Sequence, residues 1–228
     1  MISIFIFISD CRVIQSHWEH VKFKTLAPAR VDARLTGALV LTCSATGSPA
    51  PSLAWYKDGL FVYHEPDTSL SSGSSLGETV AELRLGCVTP EAAGQYECRA
   101  VAGLQQISAV TEVRVVPWEE DSSLCQERGQ PEISLWRPTL MVEAGDSVSL
   151  PCRVARPDEA VVTWTNAGGE AIEASEERFE VTESGDLRIS EVSWADMGQF
   201  TCTASNEAGV ASVHTFLYPL ASTPASHP

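Results

Sequence analysis

The chain is 228 residues long, 44% hydrophobic and 20% charged, with a formal net charge of −15 at pH 7. That length holds one large domain or two of about 100 residues each, and the composition is too apolar for a disordered chain. The acidity opposes phosphate backbones and anionic lipid surfaces, so nucleic-acid binding and peripheral membrane attachment are excluded; the acidic residues are spread along the chain and read as a solvated surface.

The N-terminal run Ile2 to Ser9 is apolar but short and has no basic residues before it, so it is read as a brief signal-like segment. No stretch approaches the roughly 18 to 20 apolar residues that span a bilayer, and membrane insertion is not expected. Seven cysteines follow, Cys11, Cys43, Cys87, Cys98, Cys125, Cys152 and Cys202, none in a C-x-x-C pair, and the five histidines are scattered. Zinc-ligand spacing is therefore absent, and no metal or cofactor is expected. Dispersed cysteines of this kind imply disulfides and an oxidising compartment.

The first structured block runs from Leu39 to Gly59. Leu39, Leu41 and Cys43 alternate with polar or small neighbours, the period-two pattern of a half-buried strand, and Trp55 follows twelve residues after Cys43. Phe61 and Tyr63 come after a Lys57-Asp58-Gly59 turn, on an expected edge strand. Pro66 to Gly77 is rich in Ser and Gly and is expected to be a mobile surface loop. Leu83 to Cys98 supplies two more strands joined by a turn with Pro90 and Gly94, and it ends in Gly-Gln-Tyr-x-Cys.

Both blocks recur in the same order. Val148 to Gly169 carries Cys152 and, again twelve residues later, Trp164; Leu187 to Cys202 has the length of the earlier block and ends in Gly-Gln-Phe-x-Cys. Two cysteines facing across two sheets with a tryptophan packed on the bridge form the signature of an immunoglobulin-like β-sandwich. The expected fold is all-β, two tandem immunoglobulin-like sandwiches of I-set or C2-like type. The bridges are Cys43–Cys98 and Cys152–Cys202, with Trp55, Trp164, Tyr96 and Phe200 in the cores. Closing a loop of about 50 residues stabilises such a domain by roughly 4 kcal/mol in the chain-entropy model. Tyr96 suits a tyrosine corner, which Phe200 cannot make; Asp196 can pair with Arg178, where the first copy has Ala92 in the matching place. The expected boundaries are 1–29 for the signal-like segment and N-terminal extension, 30–116 for the first domain, 117–130 for a polar connector, 131–219 for the second domain and 220–228 for a flexible tail.

Cys87 closes one strand of the first domain and Cys125 follows its last strand, both at the pole facing the second domain. A Cys87–Cys125 bridge pinning the connector is expected; the alternative leaves both free or paired elsewhere. No G-x-S-x-G elbow, phosphate-binding Gly loop or H-E-x-x-H pattern is present, and adjacent carboxylates such as Glu119-Glu120 are read as solvated, so no catalytic residues are assigned. Function then resides in a surface. The candidate partner-binding residues are Phe61, Tyr63, Trp118 and Trp136, since Trp and Tyr are enriched in binding hot spots; ordinary edge or inter-domain packing is the alternative for each.

The segment Leu150 to Pro219 adds specific features: a Leu-Pro-Cys-Arg-Val start with Ala155-Arg156-Pro157, Ser184-Gly185-Asp186-Leu187 before a strand, Trp194-Ala-Asp-Met-Gly198 at the corner, and Thr215-Phe-Leu-Tyr-Pro219 at the end. It resembles the second domain of the insect neural/ectodermal development factor family, secreted proteins with two immunoglobulin domains. Trp18 and Lys22-Phe23, leading through Pro28 to Gly37-Ala38, resemble that family's first domain, which is more diverged here. The chain is also similar to nematode secreted two-immunoglobulin-domain proteins that maintain axon position. The resemblance implies a secreted, extracellular protein that binds insulin-like peptide hormones and lowers insulin-receptor signalling, with no family binding residue carried over. A second reading is adhesion or axon positioning through contact with itself or with cell-surface immunoglobulin proteins; the acidic charge weighs against tight contact between copies.

Overall fold

The computed structural model describes residues 19–63, 75–117, 129–155, 160–172 and 178–221. The first half contains β1 (His20–Thr25), β2 (Arg30–Arg34), β3 (Leu39–Ser48), β4 (Ser52–Lys57), β5 (Leu60–Tyr63), β6 (Leu76–Leu85), β7 (Gly94–Ala102) and β8 (Gln105–Val116). The second contains β9 (Ile133–Glu143), β10 (Val148–Leu150), β11 (Cys152–Val154), β12 (Val161–Thr165), β13 (Phe179–Val181), β14 (Leu187–Ile189), β15 (Gly198–Asn206) and β16 (Gly209–Leu220). Among the described residues these strands form a five-stranded sheet β2-β8-β7-β4-β5, a three-stranded sheet β10-β14-β13, and an eight-stranded sheet β1-β3-β6-β9-β16-β15-β12 with β11 also on β9. Strand β1 pairs with β3, so the first domain's sheet begins at His20, upstream of the expected Arg30.

Each half is closed in the way its alternating pattern requires. Leu39, Leu41 and Cys43 on β3 face Leu53 and Trp55 on β4 and Tyr96 and Cys98 on β7 in one buried cluster. Cys43 bridges Cys98 with their Cα atoms 6.5 Å apart, and Cys152 bridges Cys202 at 6.4 Å. Trp55 and Trp164 are both fully buried beside their bridges. The buried indole N–H groups are satisfied: Trp55 Nε1 donates to the Ala81 carbonyl at 3.4 Å and Trp164 Nε1 to the Gly185 carbonyl at 2.9 Å. The Tyr96 hydroxyl donates to the Ala92 carbonyl at 2.9 Å, while Phe200 packs near Phe179, ring centroids 6.4 Å apart. Cys87 is disulfide-bonded, and its expected partner Cys125 lies outside the described residues, as does Trp118.

The two sandwiches share one sheet. Strand β6 of the first pairs antiparallel with β9 of the second, from Leu76 opposite Met141 to Ala81 opposite Leu135. Strand β9 serves both cores, and a bulge lies between its Trp136 and Thr139. Leu135, opposite Ala81, packs on the first core; Trp136, opposite Val80 on one side and Cys152 on the other, packs on the second. Past the bulge, Leu140 enters the second core opposite Gly77. Ala50 of the first domain also lies in the second core. Arg137, at the bulge, donates from Nε to Thr79 Oγ1 at 3.2 Å and from Nη1 to the Ser149 carbonyl at 3.1 Å, tying the halves by hydrogen bonds as well.

This corrects the expected loop from Pro66 to Gly77 at its C-terminal end. Ser75 is buried and accepts a hydrogen bond from the Ala50 amide at 3.1 Å, and Leu76 and Gly77 belong to β6. Composition suggested a loop, but Gly77 is small because two strands meet there. A Cβ at Gly77 would lie 2.7 Å from the Thr139 carbonyl oxygen and 3.1 Å from the Ala50 Cβ.

Gly77→Val is expected to cost about 1–3 kcal/mol, read as a lowered urea midpoint. Gly86→Val is the control, because a Cβ at Gly86 meets nothing within 4 Å. Equal midpoints for the two variants would show that the strands do not meet as described. A second expectation concerns alkaline pH. Burial raises the Tyr96 hydroxyl above its ordinary value of 10.0, with the Asp58 carboxylate adding to the effect. A phenol that ionises later when folded stabilises the fold below its unfolded pKa, and that contribution is lost as pH rises through the folded value. Tyr96→Phe should therefore lose about 1 kcal/mol at neutral pH, from the missing hydrogen bond. It should also flatten the fall in melting temperature above pH 10, followed by circular dichroism.

Candidate binding surface

Among the described residues no group of three or more His, Cys, Asp or Glu side chains is placed to hold a metal ion, and no helix is long and apolar enough to cross a membrane. The features that stand out are faces of sheet.

Strand β16 alternates clearly. Thr215, Leu217 and Pro219 are buried, while His214, Phe216 and Tyr218 point outward. Tyr218 lies beside Met141 of β9, and Met141 lies opposite Leu76 of β6. Residues in register on neighbouring strands share a face, so Leu76, Met141 and Tyr218 form a row running from the first domain into the second. The adjacent outward row is Glu78, Thr139, Phe216 and Gln199. Trp194 stands edge-on to Tyr218, ring centroids 6.2 Å apart at 80°, and remains 53% exposed. Met197, just before β15, is exposed as well. The result is an apolar band, with Trp194, Tyr218 and Phe216 at its centre, on a face to which both domains contribute.

Trp194 is held in place by Asp196. In the short 3-10 turn Trp194–Asp196, Asp196 Oδ2 accepts from the Ser193 amide at 2.7 Å and from Ser193 Oγ at 3.0 Å. The same oxygen accepts from Arg178 Nη2 at 2.6 Å. Arg178 also donates to the Ser190 and Glu191 carbonyls, fastening the turn to the end of β14.

A second face lies on the five-stranded sheet of the first domain. Phe61 packs edge-on against Tyr56 with centroids 5.8 Å apart, and the Arg99 guanidinium sits 4.1 Å above the Tyr56 ring. Glu97 pairs with Arg99 at 3.1 Å. The hydrogen bond from Arg99 holds the Glu97 carboxyl below its ordinary range, against the opposing effect of burial. Leu60, Phe61 and Val62 are all exposed along β5, an edge strand among the described residues.

Of the four partner-binding candidates from sequence, Phe61 and Trp136 lie on different sheets. Phe61 is exposed on the first-domain face. The Tyr63 backbone pairs with Trp55. Trp136 is partly buried between strands, and Trp118 is outside the described residues. The outward residues of β16 were missed, although the phase of alternation through His214-Thr-Phe-Leu-Tyr218 carries the signal.

These sandwiches, their bridges and their buried tryptophans define a tandem immunoglobulin-domain protein. The family model for the immunoglobulin domain matches residues 24–101 and 130–206, and the chain belongs to that family. Within it, the chain is a member of the two-domain group that contains IMP-L2. It is 28% identical to the neural/ectodermal development factor IMP-L2 of Drosophila melanogaster, over 92% of this chain and 79% of the relative. It is 31% identical to the Zwei Ig domain protein zig-2 of Caenorhabditis elegans, over 79% of this chain and 77% of the relative. The crystal structure of IMP-L2 superposes with a TM-score of 0.73, at 29% identity, covering 89% of this chain and 96% of that one.

Asp196→Ala is expected to cost about 2 kcal/mol, the range for hydrogen bonds to a charged group. It should also free Trp194, giving lower steady-state anisotropy of its fluorescence than in wild type. Unchanged stability and anisotropy would remove Asp196 from this positioning role.

Proposed function

We propose that this chain is a secreted binding protein that holds insulin-like peptides outside cells and so reduces insulin-receptor signalling. Supporting it are the similarity to IMP-L2 across both domains together and two buried disulfides suited to an oxidising compartment. The observation that carries the reading is the apolar band from Leu76 through Met141 to Tyr218 and Trp194, on a sheet continuous between the domains. A peptide hormone presents apolar surface to its receptor, and a preformed apolar face lets a competitor cover it with little ordering cost. Trp and Tyr at the centre of such a face are the residue types that most often dominate binding energy.

The test is calorimetry with human insulin and an insulin-like growth factor as probes. Wild type is expected to bind in the micromolar range or tighter. Trp194→Ala and Phe216→Ser should each weaken binding at least about tenfold, while leaving the melting temperature nearly unchanged, as for exposed side chains. Absence of binding at micromolar protein would overturn the reading. Binding untouched by both substitutions would move the site off this face.

A further inference from the structure

Where β9 passes from β11 to β16, a cleft of about 370 Å³ opens between the two domains. Ile133, Trp136 and Val213 line it with apolar surface, and Glu82, Arg84 and Glu132 line it with charge. We propose that this cleft binds a basic side chain, arginine or lysine, presented by a protein partner. The inference goes beyond hormone binding and uses a different part of the molecule.

The charges select the ligand. Arg84 donates from both Nε and Nη2 to the same Glu82 oxygen, Oε2, at 3.1 and 2.8 Å, so this pair neutralises itself and leaves Glu82 Oε1 available as an acceptor. Glu132 has no ion pair among the described contacts, which leaves the cleft with one uncompensated negative charge. An anion would meet that carboxylate, whereas a guanidinium or ammonium would gain it and the second acceptor. Trp136 adds an aromatic wall, and cations are drawn to an indole face most strongly of all rings. The long aliphatic stem of arginine or lysine suits an apolar floor with a polar rim.

The walls are built rather than incidental. Asn206 Nδ2 donates to the Gly129 carbonyl at 3.1 Å, and the Ala155 amide donates to the Glu132 carbonyl at 2.9 Å, fixing the segment that carries Glu132. Gln130 lies against Gly209, where an added Cβ would come within 2.8 Å of it. Glu82 and Arg84 come from the first domain and the other named residues from the second, so the cleft exists only while β6 and β9 are paired. The formal charge of −15 on the whole chain favours approach of a basic segment from a distance.

The experiment is a titration of the ¹⁵N-labelled chain with N-acetyl-arginine amide, following the Trp136 indole N–H resonance, with the neutral isostere N-acetyl-citrulline amide as the comparison. The arginine probe is expected to move the Trp136 resonance saturably while the citrulline probe leaves it in place. Glu132→Gln should weaken the arginine response about tenfold, and Glu82→Gln should weaken it further; both residues are partly exposed and both substitutions keep the side chain's size, so the fold should persist, as an unchanged melting temperature would show. Equal responses to the two probes, no response at millimolar arginine probe, or an unaltered response in Glu132→Gln would each overturn the proposal. Because the insulin-binding test reads Trp194 and Phe216, failure of either idea leaves the other standing.

Discussion

A strand at the edge of a sheet carries a row of N–H and C=O groups that must find water or another strand. In the first domain β6 has β3 on one side, and on the other side it finds β9 of the second domain rather than water. That backbone pairing fixes more than the local hydrogen bonds. With the domains locked by a ladder, an inserted Leu135 and a reciprocal Ala50, their relative orientation belongs to the fold rather than to a linker. The connector was expected to limit hinge motion through a Cys87–Cys125 bridge; a shared sheet limits it by packing and pairing whether or not that bridge forms.

The two halves solve the same closure problem with different chemistry. The first keeps the Tyr96 hydroxyl on the Ala92 carbonyl, a neutral hydrogen bond across the turn before β7. The second replaces it with Phe200 and relies on the Arg178–Asp196 pair across the matching turn. A neutral hydrogen bond contributes about 1 kcal/mol and one to a charged group somewhat more, so the exchange is close to balanced. The charged version also positions Trp194 beside Tyr218 on the exposed band.

The closures could be read from sequence because spacing determines them: a strand of period two puts Cys43 and Cys98 on facing sheets, and the matching twelve-residue offset places Trp55 and Trp164 over the sulfurs. Strand partners across domains could not be read, since backbone pairing leaves no residue signature and Gly77 looks the same in a loop as at a close strand contact. Trp136 shows the same limit. It opens a domain and is large, so it suggests an exposed anchor; in the structure it has Val80 on one side and Cys152 on the other, which leaves only part of the indole for the cleft. The outward set His214, Phe216 and Tyr218 was within reach, because the inward Val-Thr-Leu-Pro phase of that strand follows from Cys202 pairing with Val213 next door. What no pattern supplies is the continuation of the band through Met141 to Leu76.

An exposed band of this kind invites association between copies as well as with a partner. Two features work against self-association here. Like charge on every copy opposes close approach, and the Lys24–Glu78 pair puts charged groups beside the apolar rows. A partner of opposite charge meets no such opposition. Its apolar surface could cover Trp194 and Tyr218 while a basic side chain reached the cleft, because β9 carries Trp136 at the cleft and Met141 beside Tyr218. One strand thus joins an apolar face and an acidic cleft on the same sheet.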